Sequence, residues 1–392
     1  MKIFSFQKTL PSVSRRGLFL SSVALCLAAT ATSATADAPA VVTTIKPLHS
    51  ITSAVMDGVG KPLILIDGAA SPHGFALKPS QAFLLQGANV VFWVGPELAP
   101  SLAKPISSMA ENAKVVELMD AAGIEHLKIR EGANFDAHDH GHEDGEDHQE
   151  GHADHDDHEG HDDHADHADH DDHEEHADHD GHADHDDHEQ HAGHEDHEEH
   201  EGHEGHEDGH EEHHAGHGET FDPHIWLNPD NGVAIAGIMA ETLAGIDPEN
   251  ADTYKENAAK FTARMEALNE KIAKQLEPLS GSKFVVFHDA YHHFEHHFDI
   301  EASGAITLSP EALSSADRIS EVREEIKDLG VSCVFQEPQF DAKLVDVVLE
   351  GSTARKATLD PLGTSLTNGP DLYPELLENL SQSLADCLEG KS

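Results

Sequence analysis

The sequence predicts an α/β protein built from two lobes with mostly parallel sheets, joined by one long rigid helix. Three observations carry the prediction. Short apolar, β-branched runs alternate with helical patterns in the first third of the chain. The same alternation resumes in the last third. Between the two halves lies a segment whose apolar residues recur every three or four positions over about thirty residues.

In the first half the strands fall at 41–45 (VVTTI, ended by Lys46-Pro47), 62–66, 89–94 (NVVFWV) and 114–118. Helical patterns fill 49–56, 80–86 with Ser80 as N-cap, and 98–110. In the second half strands are expected at 284–287 (FVVF), 306–307, 331–335 (VSCVF) and 357–359, with helices at 315–329, 342–350 and 373–388. The joining helix runs from 250 to 279. Its apolar stripe is Ala251, Tyr254, Ala258, Phe261, Met265, Leu268, Ile272, Leu276 and Leu279. At 1.5 Å per residue it spans ~45 Å, a spine and not a flexible hinge.

Charge and composition single out one further segment. The 392 residues carry 24 basic and 75 acidic side chains, a net charge of −51, which rules out a nucleic-acid or anionic-membrane surface as the main partner. Residues 136–219 hold 27 of the 36 histidines and 36 of the acidic residues, and no Lys or Arg occurs from 131 to 254. With almost no apolar side chain beyond Ala, this tract cannot offset the entropy of ordering and is expected to be a disordered insertion.

Within the tract a histidine stands at every third position: His152, His155, His158, His161, His164, His167, His170, His173, His176, His179, His182, His185, His188, His191, His194, His197, His200, His203 and His206. A period of three aligns the imidazoles along one edge of a polyproline II helix, and i,i+3 neighbours also share a face of an α-helix. Imidazole mixed with carboxylate suits Zn²⁺, Ni²⁺ and Cu²⁺, so the tract reads as an auxiliary metal-binding reservoir; the plainer reading is a solvated acidic linker. Two H-E-x-x-H matches, 206–210 and 210–214, arise from the repeat itself and lack the apolar helix that a metalloprotease site needs.

The N-terminus reads as an export signal over 1–36. Lys8, Arg15 and Arg16 precede an apolar run at 17–29, and Ala34-Thr35-Ala36 fits a small-x-small cleavage site. A twin-arginine and a general secretory route are both compatible with it. Export removes Cys26 and leaves Cys333 and Cys387, an even pair that reads as a disulfide, the alternative being two buried thiols. Closing a loop of that length is worth up to ~4 kcal/mol in the chain-entropy picture.

Of three isolated histidines, His73 and His288 stand where open α/β sheets bind ligands, beyond strand ends, and His224 stands at the re-entry from the tract into folded sequence. His73 lies in SPHGFALKP, His224 in FDPHIWLNP at the exit of the tract, and His288 directly after FVVF. His292 and His296, at i,i+4 spacing, could form a secondary site or be ordinary helical histidines.

The chain resembles the zinc-specific substrate-binding proteins of bacterial ABC importers, the ZnuA-like group. The resemblance rests on TIKP (44–47), HGFALKPS (73–80), VVFWVGPE (90–97), DPHIWLNP (222–229), FHDAY (287–291), CVFQEPQF (333–340) and TLDPLG (358–363), in family order, with a His/Asp/Glu-rich insertion before DPH. It implies two lobes with a metal site in the cleft between them, Zn²⁺ as the transported ligand, and His73, His224 and His288 as ligands. Asp360 matches an aspartate that ligates metal in some relatives. Pro72 replaces a glutamate that completes the sphere in others, which leaves Asp360 or water as fourth ligand. The Cys333–Cys387 pair fits a disulfide seen in some members.

The resulting expectation is a periplasmic zinc-capture protein, not an enzyme, acting as a monomer that delivers Zn²⁺ to a membrane permease. Its parts are a signal (1–36), an N-terminal lobe (37–248) containing the 136–219 insertion, a linker helix (249–279) and a C-terminal lobe (280–392). A zinc hydrolase and a free-standing zinc buffer are the competing readings. The first needs a carboxylate beside a metal-bound water, which no local motif supplies, and the second leaves the folded body without a role.

Overall fold

The computed structural model describes residues 38–130, 135, 220–307 and 315–391; the export signal and the His-rich tract lie outside the described residues. Two four-stranded sheets form, each wholly parallel. The first contains β1 (Val41–Thr43), β2 (Leu63–Ile64), β3 (Val90–Trp93) and β4 (Lys114–Glu117) in the order β2-β1-β3-β4. The second contains β5 (Phe284–His288), β6 (Gly304–Thr307), β7 (Cys333–Gln336) and β8 (Arg355–Thr358) in the order β6-β5-β7-β8. The two sheets repeat one topology. In each, strand order reverses beside the strand that comes first in sequence, which creates a ligand-accepting crevice at its carboxyl end.

Nine α-helices occur among the described residues: α1 (Lys46–Val55), α2 (Pro79–Gln86), α3 (Pro100–Met109), α4 (Pro229–Ile246), α5 (Ala251–Leu276), α6 (His292–Phe298), α7 (Ala316–Asp328), α8 (Lys343–Leu349) and α9 (Leu372–Leu388). The spine helix is α5, extended by single 3-10 turns at Pro248–Asn250 and Glu277–Leu279. Its stripe is buried at Tyr254, Ala258, Phe261, Met265, Ile272 and Leu276, against α4, α1 and α9. Each large side chain so buried contributes roughly 1.5–3 kcal/mol.

Two helix starts differ from the sequence reading. Pro47 and Pro79 each sit in the first turn of a helix, where proline's fixed φ and missing N–H cost nothing. Thus α1 begins at Lys46, and Ser80 lies inside α2 instead of capping it. The helix α4 has no counterpart in the sequence reading. The Asn228 side chain caps it by accepting from the Asp230 N–H at 2.8 Å, and Pro229 opens it.

A single hydrophobic cluster runs from β1 and α1 through α4 and α5 to α9 and into β5 and β7. A smaller one, including Val285, Phe287, Ile306, Val322 and Val334, fills the space beside the second sheet. The last helix, α9, packs on α1 and α5 as well as on β8, and the Tyr373 N–H donates to Ser50 Oγ at 2.9 Å. Cys333 in β7 and Cys387 in α9 are joined by a disulfide. The two flanks of the insertion are also paired. Lys128 and Phe221 form an antiparallel bridge, the Ile129 N–H donates to Thr220 O (3.1 Å), and the Asp222 N–H donates to Leu127 O (2.8 Å).

Candidate metal centre

His73, His224 and His288 come from three separate places in the chain, and each is held by its own local device. His73 sits in the loop after β2. That loop is pinned by Ser101 Oγ donating to Phe75 O (2.5 Å) and by Gln81 Nε2 donating to Leu65 O (2.5 Å). His224 follows Pro223 in a turn organised by Asp222, whose Oδ1 accepts both the His224 backbone N–H (2.9 Å) and Nδ1–H (2.7 Å). The turn continues into the 3-10 segment Ile225–Leu227, where Trp226 Nε1 donates to Pro361 O (2.8 Å) and Tyr373 Oη donates to Trp226 O (2.7 Å). His288 is the last residue of β5. Its Nδ1–H donates to Glu337 Oε1 at 2.6 Å, and Glu337 directly follows the neighbouring strand β7.

The three rings converge. Centroids are 5.3 Å apart for His73–His224, 5.9 Å for His73–His288 and 5.3 Å for His224–His288. One ring nitrogen from each lies within 4.8 Å of the other two, a grouping able to hold a metal ion. His73 Nε2 and His224 Nε2 are 3.3 Å apart, and His288 Nε2 is buried with no protein partner. The carboxylates of Asp222 and Glu337 fix Nδ1 as the protonated nitrogen of their histidines, so both Nε2 lone pairs face the cleft. The cavity between them is about 10 Å³, lined also by Pro72, Trp226, Phe340 and Leu362. That is room for one water-sized species, not for an organic substrate.

The electrostatics differ among the three. Burial, reinforced by His224 and His288, pushes the His73 imidazole down to about 2. Burial and the neighbouring His288 push His224 well below the usual imidazole value. Burial also acts on His288, but the charge and hydrogen bond of Glu337, helped by Asp289 and Asp222, outweigh it and raise this residue. Asp222 is itself pushed up to about 6 by burial.

Asp360 is not brought into this group. Its Oδ2 accepts from the Thr364 N–H (2.6 Å) and Oγ1 (2.7 Å), and its Oδ1 accepts from the Leu362 N–H (3.1 Å) and Gln339 Nε2 (3.1 Å). The carboxylate organises the 360–364 turn, and its acceptor positions are filled. His292 and His296 have ring centroids 6.4 Å apart and join no group of three metal-ligating side chains among the described residues. Sequence reasoning did not find Asp222 and Glu337 as orienting groups. Asp222 stands two residues before His224, a spacing that could have suggested an Asx-type turn. Glu337 is paired with a residue 49 positions away, which no local pattern discloses.

Two parallel α/β lobes about a long helix, with a histidine cleft between them, define a solute-binding protein of the kind that serves import systems. The family model "ZnuA: Zinc-uptake complex component A periplasmic" matches residues 41–387. The chain belongs to the ZnuA family. It is 46% identical over 348 residues to the high-affinity zinc uptake system protein ZnuA of Brucella abortus (strain 2308), covering 89% of this chain and 91% of the relative. It is 40% identical over 367 residues to the protein of the same name from Paracoccus denitrificans (strain Pd 1222), covering 93% and 97%. A crystal structure of ZnuA superposes with a TM-score of 0.62 at 20% identity, covering 90% of this chain and 99% of that one. A zinc-bound ZnuA deletion mutant superposes at 0.58 and 21%, covering 90% and 98%. Members of the family are metal-binding transport components, so the chain is not an enzyme. No described helix is long and apolar enough to cross a membrane.

Proposed function

We propose that this chain captures Zn²⁺ in the cleft through Nε2 of His73, His224 and His288, and delivers it, as a periplasmic monomer, to the permease of an ABC importer. The observation that carries the reading is the convergence of three imidazole nitrogens, of which His288 Nε2 is buried and unpartnered, on a cavity of ion size. A nitrogen-rich donor set favours Zn²⁺ over the oxygen-preferring Mn²⁺ and Mg²⁺. With Asp360 committed to its own turn, water is the fourth ligand. The tract at 136–219 acts as an auxiliary reservoir that raises capture when zinc is scarce.

The test is zinc affinity and stoichiometry of His73→Ala, His224→Ala and His288→Ala. Each is expected to lose the tight site by orders of magnitude while the tract still binds weakly. Tight binding that persists in His288→Ala would sink the assignment.

A further inference from the structure

We infer that Arg130 is a positioning residue for metal capture: it holds the turn that follows His288 in the second lobe against the segment of the first lobe that orients His224. The inference rests on the cleft being the zinc site. Arg130 is the last basic residue before the His-rich tract, and it is buried, with 7% of its surface exposed. Its Nε donates to both Asp289 carboxylate oxygens at 3.1 Å, and its Nη2 also binds Asp289. Its Nη1 donates to Glu295 Oε2 at 2.7 Å, an oxygen that also accepts the Ala302 N–H at 3.2 Å. The guanidinium lies 3.7 Å over the centroid of Phe135, whose N–H donates to Ser303 O at 3.1 Å. Every ionic partner belongs to the segment β5–α6, whereas Arg130 follows β4 of the first sheet.

The consequence for the cleft follows from what each end of this contact touches. Asp289 is the residue after His288, so gripping its carboxylate fixes the turn from which the His288 ring projects. Arg130 itself continues the segment 127–129 that pairs with 220–222, and Asp222 in that ladder orients His224. One guanidinium thus links the supports of two of the three rings. A buried cluster of one base and two acids contributes little net stability compared with apolar side chains of the same shape, but it specifies geometry. The fork of Arg can hold Asp289 through two nitrogens and Glu295 through a third, which the single ammonium of Lys cannot.

The test follows zinc release into excess chelator by tryptophan fluorescence in the full-length protein. Both tryptophans, Trp93 and Trp226, lie outside the tract, and Trp226 is 5.4 Å from the His224 ring, so the signal reports the cleft. The decisive variant is Arg130→Met with Asp289→Asn and Glu295→Gln, which removes the whole charged set and leaves no unpaired buried charge. It is expected to melt like the parent yet release zinc roughly 10–100-fold faster, the effect usual for groups that orient ligands. Arg130→Lys, which keeps the charge, is expected to fall between the two. Release at the parent rate in either variant would overturn the positioning role. His288→Ala, measured alongside, separates the two readings. If it loses the fluorescence response while the Arg130 variants behave as the parent, only the positioning role fails. If it responds as the parent, the cleft assignment fails.

Discussion

Replacing Glu337 by Gln removes the charge that faces His288 Nδ1 at 2.6 Å and leaves a neutral side chain of the same shape. Two effects follow. The amide no longer enforces Nδ1–H, because it can also donate to that nitrogen and turn the proton-bearing Nε2 toward the metal. Loss of such an orienting partner costs about 10–100-fold in metal affinity, or about 1.4–2.7 kcal/mol. The second effect is on pH dependence. In the parent, His288 is raised above its ordinary value, so below that point Zn²⁺ must displace one proton and affinity falls tenfold per pH unit. His73 and His224 are depressed and impose no such penalty until far greater acidity. In the variant, burial is opposed only by the weaker pull of Asp289 and Asp222, so His288 falls and the profile should flatten across the near-neutral range. The deficit is therefore largest at alkaline pH and shrinks as pH falls. Competition titrations against a chelator, read by tryptophan fluorescence from about pH 5.5 to 8.5, measure both quantities. An unchanged slope together with parental affinity would show that Glu337 neither orients nor charges His288.

Four further outcomes are expected. Asp360→Ala should lower the melting temperature, because it strips acceptors from Leu362, Thr364 and Gln339, at roughly 1–3 kcal/mol, while zinc affinity stays within a few-fold; a collapse of affinity at unchanged stability would return Asp360 to the coordination sphere. Reducing Cys333–Cys387, which closes a loop across 54 positions, should cost up to ~4 kcal/mol of unfolding free energy without altering the zinc titration, as calorimetry and metal binding can show. Deleting residues 136–219 should leave a folded protein with one tight site. As full-length protein is acidified, excess zinc should leave first, because protons compete with metal at every tract imidazole whereas in the cleft His73 and His224 stay neutral and only His288 is raised; metal lost from the cleft before the tract in a pH-stepped dialysis contradicts this.

The fold was legible where periodicity speaks. Strands β1, β3, β5 and β7 are apolar runs of the length that a buried parallel strand requires, and the α5 stripe is an unbroken helical repeat. Helix α4 was not legible. Its residues PDNGVAIAGIMAETLAGI place Ala and Gly on the exposed face as well as on the face buried against α1 and α5, so hydropathy alone shows no single stripe. At Gly232 the approach is so close that a Cβ would lie 2.2 Å from Tyr373 Oη, a constraint made by a residue 141 positions away. In the site, the three histidines showed through their positions at strand ends and beside prolines. The open reading of Asp360 has a physical source: a carboxylate beside Pro361 serves equally as a ligand or as the cap of its own turn, and sequence does not disclose the position of the Thr364 N–H that it accepts.

The antiparallel pairing of 127–129 with 220–222 bears on how this protein can change over generations. The chain leaves the folded body and re-enters it through neighbouring backbone positions, so the spacing of the two exits is set by hydrogen bonds and not by what lies between them. In the chain-entropy picture, joining two fixed ends becomes costlier only with the logarithm of the number of residues between them, about 0.6 kcal/mol for each doubling. Repeats can therefore be gained or lost in steps of three residues with little effect on stability and none on the register of Asp222 and His224. The length of the repeat and the chemistry of the cleft are thereby opened to separate selection, one adjusted by slippage in a repetitive stretch of coding sequence, the other held fixed by the scaffold on which it stands.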